Sequence, residues 1–115
     1  MGLLNKLEKK SKEEIIEIEI DIIENILSHV MDPEIEIDIV NLGLIYDLTY
    51  NGKKNVDILM TMSTPACPLS DAIITNVKES IKGRYNDFKV NVELTFEPLW
   101  HAGLITEAGK EMLGM

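Results

Sequence analysis

Apolar residues in the first third of the chain follow two competing periods. Residues 17–22 alternate isoleucine with acidic residues, as a half-buried strand does. A longer stripe steps by four and three residues, which places it on one face of a helix. Its members are Ile16, Ile20, Ile23, Leu27 and Val30. The helical pattern stops before Asp32-Pro33, so we predict a helix from about Lys12 to Val30, preceded by a loosely held tail over residues 1–12.

Two alternating segments follow, over residues 44–50 and 55–62, and Asn51-Gly52 lies between them. Asn-Gly between apolar runs predicts a β-hairpin, because both turn residues must take positive φ. In the second segment the alternation directs one set of residues towards a core and the other outward. The inward set is Val56, Ile58, Met60 and Met62, and the outward set is Asp57, Leu59 and Thr61.

The second half of the chain predicts a helix, a strand and a short helix. Pro68 suits the first turn of a helix, and Gly83 suits its C-terminal cap. The buried stripe of this helix repeats every four residues, at Leu69, Ile73, Val77 and Ile81. Residues 88–96 alternate like a strand, with Val90, Val92, Leu94 and Phe96 facing inward. Thr106 is the expected N-cap of a last helix that ends near Leu113.

The predicted order is therefore helix, strand, strand, helix, strand, helix. A hairpin followed by a crossover gives a small mixed sheet of three strands with helices on one face. We expect an α+β fold, a two-layer α/β sandwich, with residues 13–115 as one domain.

Composition narrows the class of protein. The chain has 115 residues, a formal net charge of −9 and a single cysteine, Cys67. One cysteine forms no internal disulfide and fits a reducing, cytoplasmic setting. With one arginine and no basic stripe, binding to a nucleic-acid backbone is not expected. No apolar run approaches the ~20 residues of a membrane span. Most of the acidity lies in residues 1–38, whose 11 acidic residues and 4 lysines sum to −7.

Cys67 is the strongest candidate for chemistry. If Pro68 is the first helical residue, the Cys67 sulfur lies beside unpaired N–H groups at the positive end of a helix, which favours the thiolate. Thr64 is close enough along the chain to donate a hydrogen bond to it. The alternative is that Cys67 is a small buried apolar residue, and the sequence does not decide between the two.

The chemistry of this sulfur is limited by its neighbours. A thiol enzyme needs a base, and His101 on the loop after the third strand is the available partner, while His29 suits a structural role at a helix end. A closed zinc or iron–sulfur site needs about four ligands, which one cysteine cannot supply. A metal or cluster would be shared with small thiols, a partner or a second subunit, which argues for transient handling.

Several motifs together resemble the SufT/PaaD family of iron–sulfur cluster assembly auxiliary proteins. The resemblance covers about residues 18–115. It rests on Asp32-Pro33-Glu34, residues 39–46, residues 64–69, Pro98-Leu99-Trp100 and residues 109–114. Leu99 stands where the family commonly has a second proline, and Glu97 where it usually has Asp.

The resemblance implies a non-enzymatic factor that assembles iron–sulfur clusters or delivers them to apo-proteins. Cys67 matches the reactive cysteine of the family, with transient iron or a cluster as its cargo and with Asp32 and Glu34 as the acidic loop. We take Thr64, Pro68, Asp32 and Glu34 as supporting residues, and Glu97, Trp100 and His101 as auxiliary ones. Expected partners are assembly scaffold or carrier proteins, apo-protein clients and a second copy, since a homodimer would bring two Cys67 sulfurs.

Two other functions stay open at this point. One is a metal-free adaptor that docks a target or scaffold through the acidic first helix and loop. The other is a thiol-dependent enzyme that uses Cys67 and His101.

Overall fold

The computed structural model describes residues 2–64 and 70–115, with side chains from Lys12 onward. Three α-helices and three strands follow the predicted order, which confirms the α+β class. They are α1 Gly2–Asp21, β1 Ile45–Tyr50, β2 Asn55–Met60, α2 Ser70–Arg84, β3 Lys89–Leu94 and α3 Glu107–Met112. A π-helical turn, Ile22–Ile26, and a 3-10 turn, Leu27–His29, extend α1, and another 3-10 turn, Ala102–Leu104, precedes α3.

The sheet is mixed and has the strand order β1-β2-β3. β1 pairs antiparallel with β2, with a register shift between Ile45 and Asp47, and β2 pairs parallel with β3. The predicted inward residues of β2 and the described α2 stripe are buried, and so is Val90 of β3. Val92, Leu94 and Phe96 are partly buried and pack against the core. The inward residues predicted from the strand period of two and from the helix period near four therefore lie in the same core.

The predicted stripe of the first helix is wrong in its first half. Ile16 and Ile20 are 56% and 47% exposed, whereas Ile22 and Ile26 are buried. Seven isoleucines between residues 15 and 26 allow more than one stripe. The π-helical turn then adds a residue to one helical turn, so a stripe before it does not continue on the same face after it.

Three local predictions also need correction. The first helix begins at Gly2 rather than near Lys12. Gly83 lies inside α2, which ends at Arg84. In the hairpin, positive φ falls on Gly52 and Lys54. Asn51 needs no positive φ, because its side-chain oxygen accepts hydrogen bonds from the N–H groups of Lys53 and Asn55 and closes a longer loop.

The molecule is elongated. Its principal extents are 53 × 27 × 26 Å, and a helix the length of α1 is about 30 Å long. Among the residues described, no helix is both long enough and apolar enough to cross a membrane. The division into a tail and a domain of residues 13–115 stays a prediction.

Candidate functional site

The predicted site residues fall in three segments. Cys67 and Pro68 lie outside the described residues, together with Leu69 of the predicted stripe. Thr64 is partly buried in the bend that precedes them. The other candidates belong to the loop after the first helix or to the segment after β3. Their contacts therefore define the described part of the site.

Asp32 holds the acidic loop in shape. Its side chain is 3% exposed, and its Oδ1 accepts hydrogen bonds from the N–H groups of Glu34 and Ile35, at 2.8 and 3.1 Å. The Asp32 N–H donates to the Ile37 carbonyl at 2.9 Å, which closes the loop. A buried carboxylate that accepts two backbone N–H groups organises a turn. Glu34 is exposed, so it is the carboxylate of this pair that faces solvent.

Asn41 joins this region to the C-terminal segment. Its amide nitrogen donates to Asp38 Oδ1 at 2.8 Å, and its Oδ1 accepts from the Thr106 hydroxyl at 2.6 Å. Its carbonyl also accepts the Thr106 N–H at 2.9 Å. Thr106 then caps α3, because its hydroxyl oxygen accepts the N–H of Gly109 at 3.0 Å. One side-chain network therefore fixes both the loop and the start of α3, and it confirms Thr106 as the N-cap.

Trp100 anchors the segment that follows β3. Its indole nitrogen donates to the Leu42 carbonyl at 2.6 Å, while the Tyr46 hydroxyl donates to the Pro98 carbonyl at 2.7 Å. Gly43 has φ +76°, and an added Cβ there would collide with the Leu104 carbonyl. The structure thus brings residues 38–46 against residues 98–109. We call these C-terminal residues, 98–109, the strap.

His101 lies on the strap and Glu97 lies just before it, and both residues are exposed. His101 Nδ1 accepts the N–H of Gly103 at 3.1 Å and caps a 3-10 turn. This contact occupies Nδ1, one of the two ring nitrogens of the imidazole. Glu97 contributes through its backbone, where its N–H donates to the Thr95 hydroxyl at 3.2 Å.

Two further residues were not singled out from the sequence. Asn41 was noted only as part of a motif, although an Asp followed three residues later by Asn is a turn signal that could have marked it. Thr61 was predicted to face outward, but it is fully buried, because β2 ends at Met60 and the alternation ends with it. Its hydroxyl finds no hydrogen-bond partner among the described residues, and it lies at the start of the segment that leads to Cys67.

Among the side chains of residues 12–64 and 70–115, no group of three or more His, Asp or Glu residues is placed to hold a metal ion. The acidic loop is therefore not a metal centre built from described residues alone.

Comparison with known proteins gives the family. Residues 20–94 match the model of a family described as iron–sulfur cluster assembly protein. The chain is 38% identical to an Fe-S protein maturation auxiliary factor of Porphyromonas gingivalis, over 88% of this chain and 95% of that protein. It is 31% identical to the Fe-S protein maturation auxiliary factor SufT of Staphylococcus aureus, over 75% of this chain and 98% of that protein.

A solved structure has a similar fold. The crystal structure of a domain of unknown function, DUF59, from Bacillus anthracis has a TM-score of 0.83 and 31% identity, and covers 90% of this chain and 98% of that chain. The resemblance inferred from the motifs is confirmed, and neither named relative is named as an enzyme. The chain belongs to the family of iron–sulfur cluster assembly proteins.

Proposed function

We propose that this protein is an auxiliary factor of iron–sulfur protein maturation that uses Cys67 to hold iron or a cluster for a short time. The cargo would pass to apo-proteins, with assembly scaffold or carrier proteins as the source. The observation that carries the proposal is the family match together with the relatives that are named as maturation factors. The sequence position of Cys67 supports it, since the cysteine directly precedes Pro68, a residue suited to the first turn of a helix.

The cargo must be shared under this proposal. Cys67 is the sole cysteine of the chain, and a cluster needs about four ligands. The remaining ligands would come from small thiols, a partner protein or a second copy. A factor with too few ligands for a stable site is suited to transfer, because the cargo is not trapped.

Anaerobic reconstitution tests the role of Cys67. The protein and its Cys67→Ser variant are incubated with iron, sulfide and a small thiol, and bound iron and visible absorbance are measured after desalting. We expect the native chain to retain iron and the variant to lose most of it. Ser80→Ala, which changes a hydroxyl on α2 bonded to Asn76, serves as the control and should behave like the native chain. Equal retention by Cys67→Ser would refute the proposed ligand.

An adaptor function remains the second candidate, favoured by the exposed Glu34 on an ordered acidic loop. Asp32 is unsuited to direct docking, because its Oδ1 already accepts hydrogen bonds from the loop backbone. An adaptor would keep capturing an apo-protein client after Cys67→Ser and lose it after Glu34→Lys. The thiol enzyme is not proposed, because the similar proteins are named as maturation auxiliary factors.

A further inference from the structure

The two edges of the sheet differ in how they are protected. On β1 the ladder is interrupted by the irregularity between Ile45 and Asp47. The outward N–H of Tyr50 is bound by Glu19 Oε2 at 2.9 Å, so α1 covers part of that edge. Bulges and covering elements are the usual means of preventing further strand pairing. The β1 edge is therefore protected over part of its length.

At the opposite edge, on β3, the described residues provide neither a bulge nor a covering element. Its pairing with β2 is regular over residues 89–94. Among the described elements, β3 contacts only β2 and α2. The N–H groups of Lys89 and Thr95 donate to β2 at Lys54 and Met60. Since strand groups alternate in direction, the N–H and C=O groups of Val90, Val92 and Leu94 point away from β2. We call this row the β3 edge.

The sequence of β3 is complementary to itself in one antiparallel register. With Asn91 opposite Asn91 of a second copy, each Lys89 lies opposite Glu93 and each Val90 opposite Val92. This register also places the outward backbone groups of Val90 and Val92 in hydrogen-bonded pairs, which gives about four backbone hydrogen bonds between the copies. Neighbouring registers that keep the backbone pairing do not join the two charges.

The charges involved are free to pair. Lys89 and Glu93 are both exposed, and neither takes part in an ion pair within the described part of the chain. They lie on the outer face of the sheet. In this register they occupy non-hydrogen-bonded positions, where side chains across an antiparallel pair approach most closely.

We propose that the β3 edge binds the β3 edge of a second copy of this chain, in the register that pairs Lys89 with Glu93, and so forms one continuous six-stranded sheet. Charge complementarity and the open backbone row support a second copy as the partner. The proposal does not depend on Cys67 or on the proposed function.

Charge reversal tests the pairing. Sedimentation equilibrium of the full chain in about 0.15 M salt gives the dimer dissociation constant. Lys89→Glu and Glu93→Lys should each weaken the dimer by about tenfold or more, because two attractive pairs become repulsive in each homodimer. Mixing the two single variants should restore dimers, since each mixed pair is again of opposite charge. Lys82→Glu changes the charge of an exposed residue on α2 and should leave the dimer intact.

A crosslink tests the register. In the Cys67→Ser background, Asn91→Cys should form an intermolecular disulfide on mild oxidation, because the two Cα atoms would lie about 4.5 Å apart on the dimer axis. Asp57→Cys, on the central strand, should not. A chain that is monomeric at all concentrations, a dimer insensitive to both charge reversals, failure of the mixture to recover, or absence of the Asn91→Cys crosslink would each overturn the proposal.

Discussion

Two helical glycines of this chain have different surroundings. Gly109 is buried in α3, and an added Cβ would lie 2.8 Å from both the Asn41 carbonyl oxygen and Ile105 Cγ2. Gly83 in α2 is exposed, and an added Cβ would meet no heavy atom within 4 Å. Gly109 is thus required by close approach of the strap to Asn41. Gly83 adds only the flexibility that glycine gives a helix.

The same substitution should therefore have opposite effects at the two sites. Gly109→Ala is expected to lower the free energy of unfolding by about 1–3 kcal/mol through overpacking. Gly83→Ala is expected to raise it by about 0.5–1 kcal/mol, because alanine loses less backbone entropy in a helix. Urea unfolding followed by circular dichroism measures both. Changes of the same sign would show that the tight contact at Gly109 is not energetically important.

At the scale of elements, α1 and α2 are joined by a polar contact around Asp21. Asp21 Oδ2 accepts from the Tyr85 hydroxyl at 2.6 Å and pairs with Arg84 Nε at 2.7 Å, and its Oδ1 accepts from Asn25 at 2.8 Å. Burial alone would raise the pKa of Asp21, but the hydrogen bonds from Tyr85 and Asn25 and the charge of Arg84 outweigh it and lower that pKa. The folded state therefore favours the carboxylate.

The contact around Asp21 should contribute less to stability in acid. An unfolded aspartate has a pKa of about 3.9, so a lowered folded pKa contributes stability above about pH 4 that is lost as pH falls below it. We expect Asp21→Asn to lower the free energy of unfolding by about 1–2 kcal/mol at pH 7. The difference from the native chain should shrink below pH 4, as measured by urea unfolding at several pH values. The control Glu13→Gln removes an exposed carboxylate from the same helix, and a similar loss there would contradict this role for Asp21.

Most elements were predictable from the sequence because their signals are local. The strands follow from alternation over residues 55–62 and 88–96, and α3 from its Thr106 cap. The face of the first helix was not predictable, since its choice depends on a π-helical turn that no short pattern marks. The burial of Thr61 depends on where β2 leaves the sheet, which pairing with β1 and β3 decides.

For the whole molecule, the strap matters most because it holds the chain end against the loop that follows the first helix. The motif residues of this loop could be found in the sequence, but their roles could not, since the contacts between Asn41 and Thr106 join positions far apart in the chain. Trp100 was expected as an auxiliary residue of the site, and its indole donates to the Leu42 carbonyl, which fixes the strap. The roles assigned to Cys67 and Pro68 stay predictions.

A double-mutant cycle should detect the coupling between Asn41 and Thr106. Asn41→Ala and Thr106→Ala remove partners of one another, so the free energies of unfolding should be non-additive by at least about 0.5 kcal/mol. Asn41 and Ser80 share no hydrogen-bond partner, so the effects of Asn41→Ala and Ser80→Ala on the free energy of unfolding should be additive. Thermal or urea unfolding of the four proteins in each cycle gives the coupling. Additivity in the first cycle would mean that loop and strap are held independently.

The elongated shape of the molecule affects how the size of this protein is measured. A compact chain of this length has a radius of gyration of about 13 Å, whereas the Cα radius of gyration here is 15.6 Å. Hydrodynamic friction depends on shape as well as mass. A single copy will therefore elute from a gel-filtration column ahead of globular standards of 13.0 kDa. Elution volume alone would overstate its association, and light scattering or sedimentation is needed to count the copies.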